Sequence, residues 1–331
     1  MKNIIGITMG DPKGVGPEII AKSWRSLRPE ERQQFRIYGD LNALEAAAEL
    51  TKTEFDPKSL VITSSSSGHA GNVSDAEAAR MALSAINAAV DDIKAGKISA
   101  LITAPVNKQR IQSAHHGFRG HTEYLARLAR VNDAVMMFFS EGPVSLNPET
   151  GLQKQLCVSL VTTHIPLKSV PKAITRERLL LTIRRTHEAL ERHFACPEPR
   201  IAVLSLNPHA GEGGSIGREE ETVIKPALLA AQKGGINCVG PLPADGLFGR
   251  LADFDYDAVV AMYHDQGILP IKLLCQGKCV NITLGLPYIR TSPGHGTAED
   301  VAWLGQADAE NMLSTIRLTR RLVGWTIDNG D

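Results

Sequence analysis

Short apolar runs alternate with helix-forming stretches along most of the chain. The apolar runs predict strands at Ile4–Met9, Phe35–Gly39, Leu60–Thr63, Ser99–Thr103, Ala134–Phe139, Gln155–Thr162, Arg200–Leu206, Ile236–Val239, Asp257–Met262 and Val280–Leu284. The stretches between them predict helices that start near Pro17, Ser74, Thr122, Thr175 and Arg218, and further helices at Thr297–Leu304 and Ala309–Val323. Such alternation is typical of α/β proteins, and here it predicts largely parallel sheets flanked by helices.

Two local signals refine this prediction. Residues 74–77 read SDAE, the spacing of a capping box, so a helix should begin there and run to about Ala95. The turn-forming residues at Leu146–Gly151 separate two predicted strands and favour a hairpin between them.

Length and charge narrow the classes of protein that this sequence fits. Its 331 residues suffice for two lobes. No linker separates them, so we expect one two-lobed unit over residues 1–331, with the lobes interleaved in the sequence. Lysine plus arginine and aspartate plus glutamate each number 36, which gives a formal net charge of zero. That balance excludes nucleic acid and anionic membrane as main partners.

The N-terminal residues and the cysteines bear on the compartment. The segment MKNIIGITMGDPKG lacks the apolar core and cleavage site of a signal peptide. No stretch approaches the ~20 apolar residues of a membrane span. The five cysteines are scattered and form no C-x-x-C pair, which argues against a disulfide framework or a cysteine–zinc site. We expect a cytoplasmic protein.

Histidines follow three of the predicted strands. His164 lies in CVSLVTTHIPL, His209 in IAVLSLNPHAGEGG and His264 in AVVAMYHDQG. Ligands of open α/β sheets bind beyond the carboxyl ends of the strands, where three imidazoles could converge on one divalent cation. Taken singly, a histidine after a strand is more often a loop residue that makes a hydrogen bond, and the spacing here matches no local metal motif.

Other polar residues are candidates for binding an anion or moving a proton. Lysine and arginine close together in sequence can hold a phosphate or carboxylate, and the start of a helix can bind an anion. The candidates are His121, Thr122, Lys272, Asn281 and Arg290 for the anion, and Asp245 and Asp265 for acid–base work or metal binding. Solvated surface cations, a capped helix and ordinary turn residues are the competing interpretations.

The glycine-rich segments match no nucleotide motif. Residues 10–18 read GDPKGVGPE after the first predicted strand, but a G-x-G-x-x-G motif from Gly14 would need glycine at Ile19. Residues 207–217 read NPHAGEGGSIG, which fits neither a dinucleotide-binding motif nor a P-loop. These motifs therefore identify no cofactor-binding residue.

Nine segments together resemble one known family. In chain order they are ITMGDPKGVGPE, ITAPVNK, GHTE, TTHIPL, NPHAGEGG, PLPAD, AMYHDQG, NITLGLPYIRTS and HGTA. This set is similar to the 4-hydroxythreonine-4-phosphate dehydrogenase family of vitamin B6 biosynthesis, and it runs from residue 5 to about residue 300. The resemblance implies a fold like that of isocitrate and isopropylmalate dehydrogenases, whose NAD site carries no Rossmann motif.

The resemblance also implies a reaction, its ligands and an assembly. The reaction is a metal- and NAD-dependent oxidation of 4-phosphohydroxy-L-threonine followed by decarboxylation, in a homodimer whose active site takes residues from both subunits. Matched motif by motif, the metal ligands are His164, His209 and His264, and the substrate-binding residues are His121, Thr122, Lys272, Asn281 and Arg290. Lys272 and Asp245 are the candidates for the catalytic base. Three imidazoles favour zinc as the metal, with magnesium, manganese and cobalt as alternatives. The choice between NAD and NADP stays open.

The sequence departs from the family pattern in two places, and other functions fit parts of it. Gly294 stands where the family usually has aspartate, in S-x-D-H-G-T, and LNPETGLQK resembles an insertion that lengthens a hairpin. Related groups on this scaffold oxidise D-threonate or D-erythronate 4-phosphate, or a dihydrodiol of terephthalate, whereas the intact NPHAGEGG loop favours the B6 enzyme. Outside the family, three histidines and a bound water also suit a metal-dependent hydrolase. A non-catalytic sugar-phosphate binding protein is the third alternative.

Overall fold

The chain divides into two compact units, each assembled from separate segments. The computed structural model describes residues 3–66, 70–140, 144–147, 152–250, 255–275 and 277–328. Unit 1 comprises Met1–Asn132 and Leu286–Val323, and unit 2 comprises Asp133–Gly285 and Gly324–Asp331. The larger segment of unit 2 is thus inserted between the two segments of unit 1, and its short second segment follows them.

Strands and helices alternate through both units. The strands are β1 (Ile5–Thr8), β2 (Phe35–Asp40), β3 (Leu60–Ser64), β4 (Ala100–Thr103), β5 (Val135–Ser140), β6 (Val144–Asn147), β7 (Leu152–Lys154), β8 (Cys157–Leu160), β9 (Ile201–Leu204), β10 (Cys238–Leu242), β11 (Ala258–Ala261), β12 (Cys279–Leu284) and β13 (Ile289–Pro293). The helices are α1 (Gly16–Ser26), α2 (Pro29–Arg32), α3 (Leu41–Thr51), α4 (Asp75–Lys94), α5 (Lys108–Ala114), α6 (His121–Leu128), α7 (Val170–Ala173), α8 (Arg176–His193), α9 (Lys225–Lys233), α10 (Ala244–Gly249), α11 (His264–Cys275) and α12 (Glu310–Asp328).

The strands of unit 1 are all parallel. Their order is β13-β4-β1-β2-β3, and Ile5 of β1 pairs with Phe35 of β2 on one side and Ala100 of β4 on the other. Every residue of β1 and β4 is buried, which explains why these strands read as continuous apolar runs in the sequence.

The strands of unit 2 are mostly parallel, with one exception. Their order is β10-β9-β11-β8-β5-β12, and β5 runs antiparallel to both of its neighbours. The pairing of β5 with β8 confirms the predicted hairpin, which β6 and β7 extend as a further antiparallel pair. Residues 148–151 of the predicted turn lie outside the described residues. The prediction of an α/β fold with largely parallel sheets is confirmed.

Helix ends agree with the local signals in some places and not in others. The Ser74 hydroxyl accepts a hydrogen bond from the Glu77 amide at 3.3 Å and caps α4, as predicted. The predicted helix at Thr297–Leu304 is wrong, because Ala298 and Trp303 have φ of +42° and +63° and the segment forms turns. The Trp303 indole instead donates to the carbonyl of Pro12 at 2.9 Å.

Each unit has its own apolar core. Ile86, Leu101 and Phe118 are fully buried in unit 1, and Val158 and Val259 are fully buried in unit 2. Within the described part of the chain, no helix is both long and apolar enough to cross a membrane.

A substitution at Gly10 tests how tightly the turn after β1 is packed. Gly10 has φ of +76°, and a Cβ there would lie 2.4 Å from the carbonyl oxygen of Pro105. We expect Gly10→Ala to lower the free energy of unfolding by about 2–4 kcal/mol, measured by urea denaturation. Gly96 is the control, because its φ is +68° and a Cβ there would meet nothing within 4 Å. Gly96→Ala should cost about 1–2 kcal/mol, and equal losses at the two positions would contradict the steric explanation.

Candidate active site

Three loops that carry histidines leave the same edge of the unit 2 strands. β11 pairs in parallel with β8 on one side and with β9 on the other, so the carboxyl ends of all three strands point the same way. His164 follows β8, His209 follows β9, and His264 is the first residue of α11, directly beyond β11. This edge is where ligands bind in open α/β sheets.

Side chains near the histidines hold the strand ends in register. The Thr162 hydroxyl donates to the carbonyl of Met262 at 2.7 Å. The Gln266 side chain accepts from the Met262 amide at 2.7 Å and donates to the carbonyl of Ser205 at 2.7 Å. Neither Thr162 nor Gln266 was predicted from the sequence to belong to the site. Their positions two residues from His164 in TTH and from His264 in HDQG were the one sequence feature that could have indicated them.

His164 and His264 lie next to each other. Their ring centroids are 5.5 Å apart with an angle of 43° between the planes. Asp265 pairs with Nδ1 of His264 at 2.8 Å, which leaves Nε2 as the nitrogen able to bind a ligand. Asp265 thus orients an imidazole, and its own side chain is largely exposed.

His209 begins a backbone segment with left-handed conformation. The φ angles of His209, Ala210 and Glu212 are +51°, +53° and +44°, and Gly211 and Gly213 between and beyond them also have positive φ. Non-glycine residues in this region cost about 1–2 kcal/mol each, so surrounding contacts must hold the segment.

Glu220 provides those contacts from the next helical segment. This fully buried carboxylate accepts from the amides of Leu206 and Asn207 at 2.8 and 2.7 Å, and Asn207 also donates its side-chain amide to it at 2.9 Å. Gly217 packs so closely on Asn207 that a Cβ would lie 2.2 Å from its side chain. The loop that carries His209 is therefore tied down at its base, a role of Glu220 that the motifs did not reveal.

The structure brings two of the three predicted metal ligands together. Over the described residues, no group of three or more histidine, cysteine, aspartate or glutamate side chains is arranged to hold a metal ion. His164 and His264 form a pair, and His209 does not complete it within one chain.

The other predicted residues of unit 2 lie on three elements. Asp245 is exposed in the first turn of α10, and Lys272 is exposed on α11. Asn281 lies on β12, and its buried Oδ1 makes no hydrogen bond with any described residue. Such an orphaned acceptor is suited to a donor group of a ligand.

Unit 1 contains the remaining predicted residues. His121 and Thr122 begin α6, after Gly120, which offers no side chain to cap the helix. Arg290 lies on β13 and is almost completely buried, and its Nη2 donates to the hydroxyl of Thr103 at 2.5 Å. Lys272 and Arg290, neighbours in the motif set, belong to different units.

Burial and neighbouring charges shift the pKa values of His121 and Arg290 in unit 1. Burial lowers the pKa of His121 well below its usual value, and the charges of Arg290 and Lys108 add to the effect, so His121 is neutral. Burial also lowers the pKa of Arg290 to about 10, opposed by Tyr288 and Glu123. The guanidinium nevertheless keeps its charge at neutral pH.

A second polar cluster in unit 1 surrounds the glycine-rich turn after β1. The buried Arg110 pairs with the buried Asp11, with Asp75 at 2.9 Å and with Glu299 at 3.0 Å. Beside it lies a cavity of about 430 Å³, lined by Lys13, Gly71, Asn72, Glu299, Ala302 and Trp303. The motifs GDPKGVGPE and HGTA border this cavity. Their presence was the only signal in the sequence for a site here.

Comparison with known proteins identifies the family. A sequence model of the family described as "Pyridoxal phosphate biosynthetic protein PdxA" matches residues 19–319. The chain belongs to the PdxA family. A PdxA relative from Geobacter metallireducens, named 4-hydroxythreonine-4-phosphate dehydrogenase, is 42% identical over 348 residues, with 96% of this chain and 95% of the relative covered.

Solved structures agree with membership of the PdxA family. The crystal structure of 4-hydroxythreonine-4-phosphate dehydrogenase from Klebsiella pneumoniae matches with a TM-score of 0.81 and 35% identity, covering 97% of this chain and 99% of that one. Terephthalate 1,2-cis-dihydrodiol dehydrogenase from Burkholderia xenovorans LB400 matches with a TM-score of 0.65 and 26% identity, covering 96% and 97%.

A more distant structure bears on the fold alone. Isocitrate dehydrogenase from Methylococcus capsulatus matches with a TM-score of 0.53 and 13% identity, covering 98% of this chain and 87% of that one. The predicted family and the predicted fold, similar to isocitrate dehydrogenase, are both confirmed.

Proposed function

We propose that this protein oxidises and decarboxylates 4-phosphohydroxy-L-threonine in pyridoxal phosphate biosynthesis, with NAD and a divalent metal. The observation that carries the proposal is the full-length match to relatives named 4-hydroxythreonine-4-phosphate dehydrogenase. The structure of the described residues supports it with two groups of side chains. The first is the pair of imidazoles, His164 and His264, beyond β8 and β11. The second is His121 at the start of α6 with the cationic Arg290 near it.

His164 and His264 would hold the metal. Their rings are adjacent. Asp265 contacts His264 and fixes the orientation of its ring, as carboxylates commonly do for imidazoles that bind metals. When bound, a divalent cation would polarise the substrate hydroxyl and stabilise negative charge on oxygen during oxidation and decarboxylation. Zinc is the ion that this ligand set favours, and elemental analysis of the purified protein would distinguish it from magnesium, manganese and cobalt.

A homodimer would complete the metal site with ligands from two copies. His209 is exposed and lies outside the His164–His264 pair. Leu269 and Leu273, one turn apart on α11, have 64% and 71% of their surface exposed in the single chain. Exposed leucines on the helix that begins with His264 favour an interface there. Light scattering after size exclusion would give the oligomeric state.

The chain's own residues would bind the substrate and move its proton. Arg290, with neutral His121 and Thr122 nearby at the start of α6, would hold an anionic group. The orphaned Oδ1 of Asn281 would accept a hydrogen bond from a hydroxyl or ammonium group. Lys272 and Asp245 are the proposed candidates for taking the hydroxyl proton.

NAD would accept the hydride, with NADP as the alternative. The cavity beside the turn after β1 offers an aromatic face at Trp303, the carboxylate of Glu299 and the ammonium of Lys13. These groups suit the adenine ring, ribose hydroxyls and phosphates of a dinucleotide. NAD supply and five free thiols favour a cytoplasmic location.

Formation of NADH tests the proposed function. Purified protein with NAD, a divalent metal and 4-phosphohydroxy-L-threonine should produce NADH, and a chelator should stop the reaction until metal is restored. A folded dimer that forms no NADH under these conditions would refute the assignment. Turnover of D-threonate or D-erythronate 4-phosphate instead would indicate the related dehydrogenases. Phosphate release without NAD would indicate a hydrolase, and thermal stabilisation without turnover a binding protein.

A further inference from the structure

Two residues outside the predicted site lie near predicted anion-binding residues of unit 1, Lys108 near His121 and Tyr288 near Arg290. Lys108 is the first residue of α5, and its Nζ lies 3.7 Å from the position that a Cβ on Gly120 would occupy. Tyr288 lies just before β13, two residues from Arg290, and packs against the core of unit 1. Neither residue has a role in the function proposed above.

Positive charge exceeds negative charge around these residues. Arg290 and Lys108 both act electrostatically on His121. Glu123 supplies one carboxylate within range of Arg290. In the part of the chain that the structure describes, Lys108 takes part in none of the ion pairs found. Two cations against one carboxylate, at the N-terminus of a helix, attract an anion.

Two buried polar atoms at this place lack a protein partner. Tyr288 Oη and His121 Nε2 make no hydrogen bond with the described residues. Buried polar atoms in proteins are nearly always paired, so both are available to a ligand. Burial raises the pKa of Tyr288 to about 12, which keeps the proton on its hydroxyl and makes it a donor.

We propose that Lys108 and Tyr288 contact the phosphate group of the substrate, beside Arg290. This assignment rests on the function proposed above. Lys108, Tyr288 and Arg290 are three separate donors, which matches the three terminal oxygens of a phosphate rather than the two of a carboxylate. Their combined positive charge likewise suits a phosphate, which carries about −1.5 to −2 at neutral pH.

Inhibition by inorganic phosphate tests these contacts without relying on one substrate. We expect Lys108→Met to raise the inhibition constant of inorganic phosphate and the KM of the phosphorylated substrate about tenfold. Tyr288→Phe should raise both about fivefold. In both variants kcat should stay within about twofold of wild type, and Lys108→Arg should restore most of the loss. Lys94→Met is the matched control, an exposed lysine at the end of α4, and should behave as wild type.

The outcomes separate this proposal from the function it rests on. Active variants with unchanged phosphate inhibition would overturn it, and so would a larger effect on acetate inhibition than on phosphate inhibition. If the wild type forms no NADH, thermal unfolding with and without inorganic phosphate decides the matter. Phosphate should then raise the Tm of the wild type and of Lys94→Met, and raise that of Lys108→Met and Tyr288→Phe by clearly less at the same concentration. No rise in the wild type would overturn the proposal by this route as well.

Discussion

Replacing His264 by alanine is expected to lower kcat/KM for NADH formation by about a thousandfold or more. The imidazole of His264 lies beside that of His164, and its orientation is set by Asp265. If His264 holds the metal as proposed, its removal takes away a ligand, and a site that loses one of so few ligands loses most of its metal affinity. Metal content per chain, measured on the purified variant, should fall together with activity.

A second histidine variant controls for general effects of removing an imidazole. His116 is exposed and lies in the turn before α6, so His116→Ala should keep wild-type activity and metal content. Asp265→Asn should have activity and metal content between those of His264→Ala and His116→Ala. Its metal affinity should fall about 10–100-fold, because the carboxylate that orients His264 is gone while His264 itself remains. A His264→Ala protein with full metal content and full activity would rule out the metal role of this residue.

Replacing Arg290 by methionine should separate activity from stability. Arg290 is only 2% exposed, and burial lowers the pKa of its guanidinium to about 10. Since the folded pKa lies below that of the unfolded chain, the charged form is penalised in the folded protein at every pH below about 10. Methionine fills similar space without a charge, and the relieved desolvation of the guanidinium offsets the lost hydrogen bond to Thr103, so the free energy of unfolding should change by no more than about 1–2 kcal/mol. Activity should nevertheless fall, with kcat/KM lower by about a hundredfold.

Urea denaturation and steady-state kinetics on one preparation measure both effects. Arg290→Lys is the informative companion, because it keeps the charge and loses the planar set of donors. It should recover part of the substrate binding that Arg290→Met loses. If Arg290→Met were strongly destabilised and Arg290→Lys fully active, Arg290 would have a structural role in place of the proposed one.

The strands of the fold could largely be predicted from the sequence. β1 and β4 were expected within one residue of their observed ends, because buried parallel strands form continuous apolar runs. α11 was missed because Gly267 and Pro270 interrupt its helical pattern, although a proline in the helix interior is tolerated here. β13 was missed because Arg290 is its second residue and polar residues follow it, and nothing local shows that this arginine is buried.

The candidate site could be predicted in its residue types and only partly in its arrangement. The histidines were found because each follows an apolar run. Their grouping depends on the order β9-β11-β8, in which the last strand of the three in sequence lies between the other two. The left-handed backbone at His209 could not be predicted, since three of its residues are not glycine and contacts with distant residues such as Glu220 hold the loop.

The insertion of unit 2 into unit 1 sets an order of events during synthesis. β13 pairs with β4, with Arg290 opposite Leu101, yet the whole of Asp133–Gly285 is translated between them. The segment Asp133–Gly285, the larger part of unit 2, can therefore fold on the ribosome while unit 1 still lacks the strand beside β4. Arg290, the proposed anion-binding residue, is added to its unit late, so a nascent chain should form the histidine pair before it can bind a phosphorylated ligand.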